Sequence, residues 1–161
     1  HARQACPEAK IICDDVIKVL ENSDSKFGLI VGFDVIEHLN KEEILNLFDQ
    51  IEKQLLPGGR VIFQAPNLDS PWGTSIQYGD FTHETAITPS GLNSLMNITG
   101  LEDYQARECG PYPHGFVSSV RFLLWKCLRA VIIAWNLVEM GNMGSRVFTR
   151  VFLGSARKRA S

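Results

Sequence analysis

The sequence lacks most of what would mark a stapled, membrane-spanning or nucleic-acid-binding chain. Its four cysteines (Cys6, Cys13, Cys109 and Cys127) are scattered, with no CxxC and no tight Cys/His spacing. That excludes a disulfide framework, gives no reason to expect a metal, and fits a reduced, cytoplasmic setting. Lys and Arg total 16 against 18 for Asp and Glu, a net charge of -2, so no overall basic excess speaks for nucleic acid. There is no internal repeat and no low-complexity segment. At 45% hydrophobic and 21% charged residues, the composition excludes disorder and collagen-like structure. Neither a signal peptide nor an initiating methionine opens the chain. Length, 161 residues, is that of one domain.

What is present reads as alternating strands and helices. Residues 1–8 resemble the tail of a helix stopped near Pro7. Ala9–Cys13 is a short apolar group expected to be a strand, and Val16–Asn22 a short helix. Leu29–Phe33 is a continuous apolar run of the kind buried in a parallel sheet. Asn40 then starts a helix, with Glu43 at the capping-box position and Ile44, Leu47, Phe48, Ile51 and Leu55 in one stripe. The breaker Leu56-Pro57-Gly58-Gly59 ends that helix and Arg60–Ala65 forms the next strand. Strand, helix, strand with this spacing means an α/β fold: a three-layer sandwich around a mainly parallel sheet with right-handed crossovers.

Residues 66–90 form a long irregular stretch, and loops of that length in compact domains are usually functional or disordered. Further on, Pro89–Thr99 is expected to be a helix, Leu101–Arg107 a strand, Phe116–Met140 a long apolar helix and Arg146–Leu153 a strand.

Two segments carry a resemblance. Phe27-Gly-Leu-Ile-Val-Gly-Phe-Asp-Val-Ile-Glu-His-Leu39 is followed, about one helix later, by Leu55-Leu-Pro-Gly-Gly-Arg-Val-Ile62. This pairing resembles the fourth and fifth strands of class I S-adenosylmethionine-dependent methyltransferases of the small-molecule type. Asp14-Asp15-Val16 matches the acidic end of the family's third strand. The resemblance implies methyl transfer with S-adenosyl-L-methionine as cofactor, bound through Asp15, Val16, Phe33 and Asp34. In an open parallel sheet, ligands sit beyond the carboxyl ends of the strands, where Asp15, Asp34 and Asn67 would all fall. Capping and turn roles for the aspartates are the competing reading.

A narrower match is Tyr78-Gly-Asp-Phe-Thr-His-Glu-Thr-Ala-Ile-Thr-Pro89, similar to a methyltransferase subgroup acting on sugars, quinone precursors and lipid-linked substrates. It implies that Asp80 and His83 contact the acceptor or serve as general base. The alternative is that they pin a long loop. His38 is a further candidate base, with packing beside the strand end as its alternative. Trp72, Tyr78, Phe81 and Tyr112 are candidate walls of an acceptor pocket, with packing the loop down as their alternative.

In the 116–140 helix, Arg121, Lys126, Arg129, Asn136 and Glu139 gather within an arc of about 140°. The charges interrupt it too often for a transmembrane span of ~20 apolar residues. Packing on the sheet, a homodimer interface and peripheral membrane contact remain open, the last supported by Arg157-Lys158-Arg159.

No GxGxG-type turn occurs, nor the acidic residue that follows the family's second strand. The 161 residues are therefore expected to be the carboxyl-terminal two-thirds of one methyltransferase-like domain, retaining the acceptor side. The family's strand order, 3-2-1-4-5-7-6, would leave strand three without its neighbour, and the isolated chain should bind the cofactor poorly. A non-catalytic scaffold on a degenerate methyltransferase fold is the alternative; the Asp34–His38 and Pro57–Gly59 pairing argues against a dehydrogenase.

Overall fold

A computed structural model describes residues 7–160; the helix tail expected at 1–8 falls, for residues 1–6, outside the described residues. Helix α1 (Val16–Glu21) is capped by Asp15 and leads to β1 (Phe27–Phe33). A 3₁₀ turn at Ile36–His38 precedes α2 (Lys41–Gln54), which runs directly into β2 (Leu55–Pro66). The rest is α3 (Gly73–Gln77), α4 (Pro89–Ile98), β3 (Leu101–Glu108), α5 (Phe116–Met140) and β4 (Val151–Lys158). The short α3, inside the long loop, has no counterpart in the sequence reading.

The capping box forms as the sequence demands: Asn40 accepts from the backbone N–H groups of Glu42 and Glu43 at 3.0 Å, and Glu43 accepts from that of Asn40 at 2.9 Å. The predicted stripe of α2 is buried to the last residue. Pro57-Gly58-Gly59 ends the helix but does not stay out of the sheet. It forms an excursion within β2, between the pairings Phe27–Leu55 and Leu29–Arg60.

The sheet has the order β1-β2-β4-β3. The α/β class holds, but the sheet is mixed: β1 and β2 are parallel, and β4 runs antiparallel to both β2 and β3. The last strand inserts between its two predecessors, so it must enter from the opposite end. Ala9–Cys13 is not a strand. No described strand pairs with the free edge of β1, so this segment has no ladder to supply its backbone hydrogen bonds. The final strand is also displaced from the expected 146–153. Arg146 turns at φ 60°, and the Asn67 amide donates to the carbonyl oxygens of Val147 (2.8 Å) and Thr149 (2.9 Å). These bonds tie residues 146–150 to the end of β2, and regular pairing begins only at Val151.

One face of the sheet carries the core. Val61, Phe63, Ala65, Phe152 and Ala156 meet Ile44, Phe48 and Ile51 of α2 and Leu92 and Met96 of α4. Gly154 and Gly32 permit this closeness: a Cβ would lie 2.5 Å from Leu92 Cδ2 at the first and 2.4 Å from the Phe63 ring at the second. On the opposite face Leu29, Val31 and Phe33 are exposed, so the expected third layer is not among the described residues. No residue of α5 is fully buried, so packing on the sheet, one of the three readings of this helix, leaves most of its apolar arc exposed. The helix is anchored where Arg129 pairs with Glu108 at 2.9 Å and donates to the Arg146 carbonyl at 3.0 Å. Among the described residues, no helix is long and apolar enough to cross a membrane.

Candidate functional site

β1 ends at Phe33, and the chain reverses at Asp34 with φ 50°, a conformation a non-glycine residue adopts only under constraint. Gln64 supplies that constraint from the neighbouring strand. Its carbonyl accepts from the Asp34 N–H at 3.2 Å, and its side-chain amide donates to both Asp34 carboxylate oxygens at 3.2 and 3.3 Å. The following 3₁₀ turn sends Ile36 into the core and, one residue later, Glu37 with it.

The 67–88 loop is then bolted to this turn. The Glu37 carbonyl accepts from the N–H groups of Glu84 (2.8 Å) and Thr85 (3.1 Å), and the Thr85 hydroxyl donates to the Leu39 carbonyl at 2.7 Å. These bonds carry His83 onto His38, with ring centroids 4.9 Å apart and edge to face. His38 Nδ1 lies 3.0 Å from the Thr82 hydroxyl and 3.2 Å from the Thr82 carbonyl. Thr82 in turn donates to Asp80 from its hydroxyl (2.7 Å) and its N–H (2.9 Å). Asp80 stands 4.0 Å from His83 Nε2.

Residues 38, 80 and 83, named from the sequence as candidates, therefore meet at the carboxyl end of β1. Asp80 accepts from Thr82 within the loop, as its loop-pinning reading expects. Those two bonds from Thr82 hold the Asp80 carboxyl below the usual range, the hydroxyl contributing most.

The residue that sequence reasoning left out of the candidate set is Glu37. It is 1% exposed, and neither carboxylate oxygen has a hydrogen-bond partner; His83 Nδ1 is buried and unpartnered beside it. Burial pushes the Glu37 carboxyl above its ordinary value, and the nearby Asp34 charge adds to this. A raised folded-state pKa means that the folded protein binds more protons than the unfolded chain above the ordinary glutamate value. Stability therefore falls as pH rises from there through the folded-state pKa, and the loss is fully present above it. Replacing Glu37 with Gln should stabilise the chain by about 1–3 kcal/mol at pH 7, because a buried carboxylate without a hydrogen-bond partner is removed. Urea unfolding at pH 7 and pH 4 checks this: the advantage of the variant is expected to shrink at the lower pH.

The expected cofactor-side residues do not join this cluster. Asp15 uses Oδ1 to accept from the N–H groups of Ile17 (2.9 Å) and Lys18 (3.0 Å), as a helix cap does. Asp15, Val16 and Phe33 are exposed. Asp34 stands between two places: it raises the pKa of Glu37 on one side, and its partner Gln64 lines a cavity of about 680 Å³ on the other. That cavity lies between the end of the sheet and α5, walled by Trp72, Trp125 and Ile132, with Arg121 and Arg150 at its border. The Arg150 guanidinium sits over the Trp72 ring at 5.7 Å. Of the four aromatics expected to wall a pocket, only Trp72 does so. Tyr78, Phe81 and Tyr112 are largely exposed, and Trp125, from the long helix, takes their place.

A family model described as a methyltransferase domain matches residues 4–106. None of the curated proteins matches the sequence. Among solved structures, a SAM-dependent methyltransferase from Archaeoglobus fulgidus superposes with a TM-score of 0.66 at 15% identity, covering 94% of this chain and 69% of that one. A SAM-dependent methyltransferase from Thermotoga maritima gives 0.57 at 13% identity, covering 87% and 61%. The N-methyltransferase NodS from Bradyrhizobium japonicum, in complex with S-adenosyl-L-homocysteine, gives 0.57 at 16%, covering 98% and 59%. At these identities the likeness is one of fold, and the chain spans between 59% and 69% of these three proteins' length.

Proposed function

The chain belongs to the methyltransferase-domain family, and from that premise we propose that it transfers a methyl group from S-adenosyl-L-methionine to a hydroxyl of a small acceptor held beneath α5. The observation that carries this reading is the meeting of Glu37, His38, Asp80 and His83 at the end of β1, next to Asp34, whose partner Gln64 lines the cavity. When bound, the cofactor supplies a methyl group already activated on a sulfonium. Asp34, the exposed ring of Phe33 and the free Oδ2 of exposed Asp15 offer a carboxylate, an apolar face and a further acceptor to such a ligand.

Methyl transfer is an in-line displacement: the new bond from acceptor oxygen to carbon forms as the sulfur–carbon bond breaks, and the hydroxyl proton must leave. The imidazole and carboxylate cluster accepts that proton, and the pinned 67–88 loop fixes the cluster relative to Asp34. The cavity wall favours an acceptor with an aromatic or apolar body, and the two arginines at its border favour one that also bears an anionic group.

The test is methyl transfer from S-adenosyl-[methyl-³H]methionine by the polypeptide purified as its own gene encodes it. The acceptors are a hydroxylated aromatic carboxylate and its neutral amide. Label is expected in the carboxylate at the higher rate. No transfer to either acceptor, together with no calorimetric binding of S-adenosyl-L-homocysteine, would overturn the reading in favour of a scaffold.

A further inference from the structure

We propose that Glu37, His38 and His83 form a binding site for one divalent transition-metal ion. One ligating atom from each of the three lies within 4.8 Å of one from each of the others. A buried carboxylate is ordinarily paired, hydrogen-bonded or bound to a metal, and Glu37 is neither paired nor hydrogen-bonded. The second buried orphan, His83 Nδ1, lies in the same cluster. Two unpartnered ligating groups of complementary type, side by side in the interior, are donors that a metal ion would satisfy. Spacing along the sequence gave no hint of it, because the third ligand comes from a loop 45 positions further on.

The surroundings are those of a metal ligand set. His38 has its Nδ1 held by Thr82, which leaves Nε2 as the ligating atom and fixes the plane of the ring; Asp80 holds Thr82 in turn. Ligands on one ion, with bonds of about 2.0–2.2 Å, stand closer together than 4.8 Å, so binding draws the three side chains inward. Two imidazoles and one carboxylate suit manganese, iron, cobalt, nickel or zinc better than magnesium or calcium, which prefer all-oxygen shells. Three protein ligands also leave coordination positions open, the arrangement of sites that bind a further molecule.

The ion's role rests on the methyl-transfer reading above: it would take the acceptor oxygen and lower the pKa of its hydroxyl, so that the proton passes more readily to the cluster, where Asp80 is the carboxylate that is not a ligand. Metal binding itself does not depend on that reading.

The test is titration of chelator-stripped protein with Co²⁺, read by visible ligand-field absorption, and with Zn²⁺, read by calorimetry and by the shift in Tm. One equivalent is expected to bind and to raise Tm. Glu37→Gln and His83→Ala are each expected to weaken binding by more than the ~10–100-fold typical of losing a group that merely orients a ligand. His114→Ala, at an exposed histidine outside the cluster, should leave binding unchanged. Glu37→Gln keeps the side-chain shape, so its circular dichroism should match the parent and its failure to bind is not failure to fold. No uptake at millimolar metal, or uptake that both cluster variants retain, overturns the proposal. Methyl transfer that persists without metal discards the ion's role in the reaction and leaves the binding site standing. Metal binding without methyl transfer or binding of S-adenosyl-L-homocysteine discards the methyl-transfer reading alone.

Discussion

Replacing His83 with alanine is expected to lower the rate of methyl transfer by about 10²–10⁴-fold, the range of a lost general acid–base group. His83 is the member of the cluster with the least freedom. Its side chain is nearly buried, its ring stands against His38, and the Glu84 and Thr85 backbones that follow it are bonded to the Glu37 carbonyl. The loss should fall on kcat. Affinity for S-adenosyl-L-homocysteine should stay within about twofold, because neither Asp15 nor Phe33 makes a hydrogen bond to His83. Single-turnover kinetics with calorimetry on the same protein separates the two quantities. Equal losses in both would assign His83 to holding the loop rather than to the reaction. A full rate with unchanged binding would remove it from the site.

Phe48→Ala is expected to cost about 3–5 kcal/mol of stability. A domain of this size holds about 5–15 kcal/mol in all, so this one change consumes a large part of it. Phe48 is fully buried on α2 and stacks on Phe63 of β2 with centroids 5.0 Å apart and planes 29° from parallel. Phe63 in turn rests over Gly32, where even a Cβ would lie 2.4 Å from its ring. The ring pair thus fills the space between helix and sheet. Phe63 cannot follow into the vacated volume without leaving Gly32, so the cavity stays open. Urea unfolding should show a lower midpoint at an unchanged slope. Phe48→Leu should cost less, about 1.5 kcal/mol or below if the site repacks. Leu123→Ala, on the exposed side of α5, should lie within about 0.5 kcal/mol of the parent, since little contact is removed. A Phe48→Ala loss as small as that of Leu123→Ala would refute the packing described here.

Local chemistry made most of the elements legible. Asn40 and Glu43 could only cap a helix. The spacing of Ile44, Leu47, Phe48 and Ile51 chose its buried face. Errors arose where a segment's state depended on a distant partner. Ala9–Cys13 has strand composition, yet it is irregular because no described strand offers it hydrogen bonds. Val147 and Thr149 alternate as a strand would, but Asn67, 80 residues away, captures their carbonyls. Apolar residues along α5 suggested burial, which depends on what packs against a helix and not on what it is made of.

The site divides in the same way. By itself the sequence determined which groups could do chemistry: the Asp34–His38 segment, the Asp80–His83 segment and the family they resemble. Those are matters of residue type and short-range order. Only the tertiary structure decided that the two segments share one cluster, that Glu37 is its most buried member, and that Trp125 replaces Tyr78, Phe81 and Tyr112 at the cavity. The physical reason is solvation. A glutamate flanked by Ile36 and His38 looks like any surface acid in a sequence. It becomes an unpaired buried carboxylate only when the 67–88 loop closes over it.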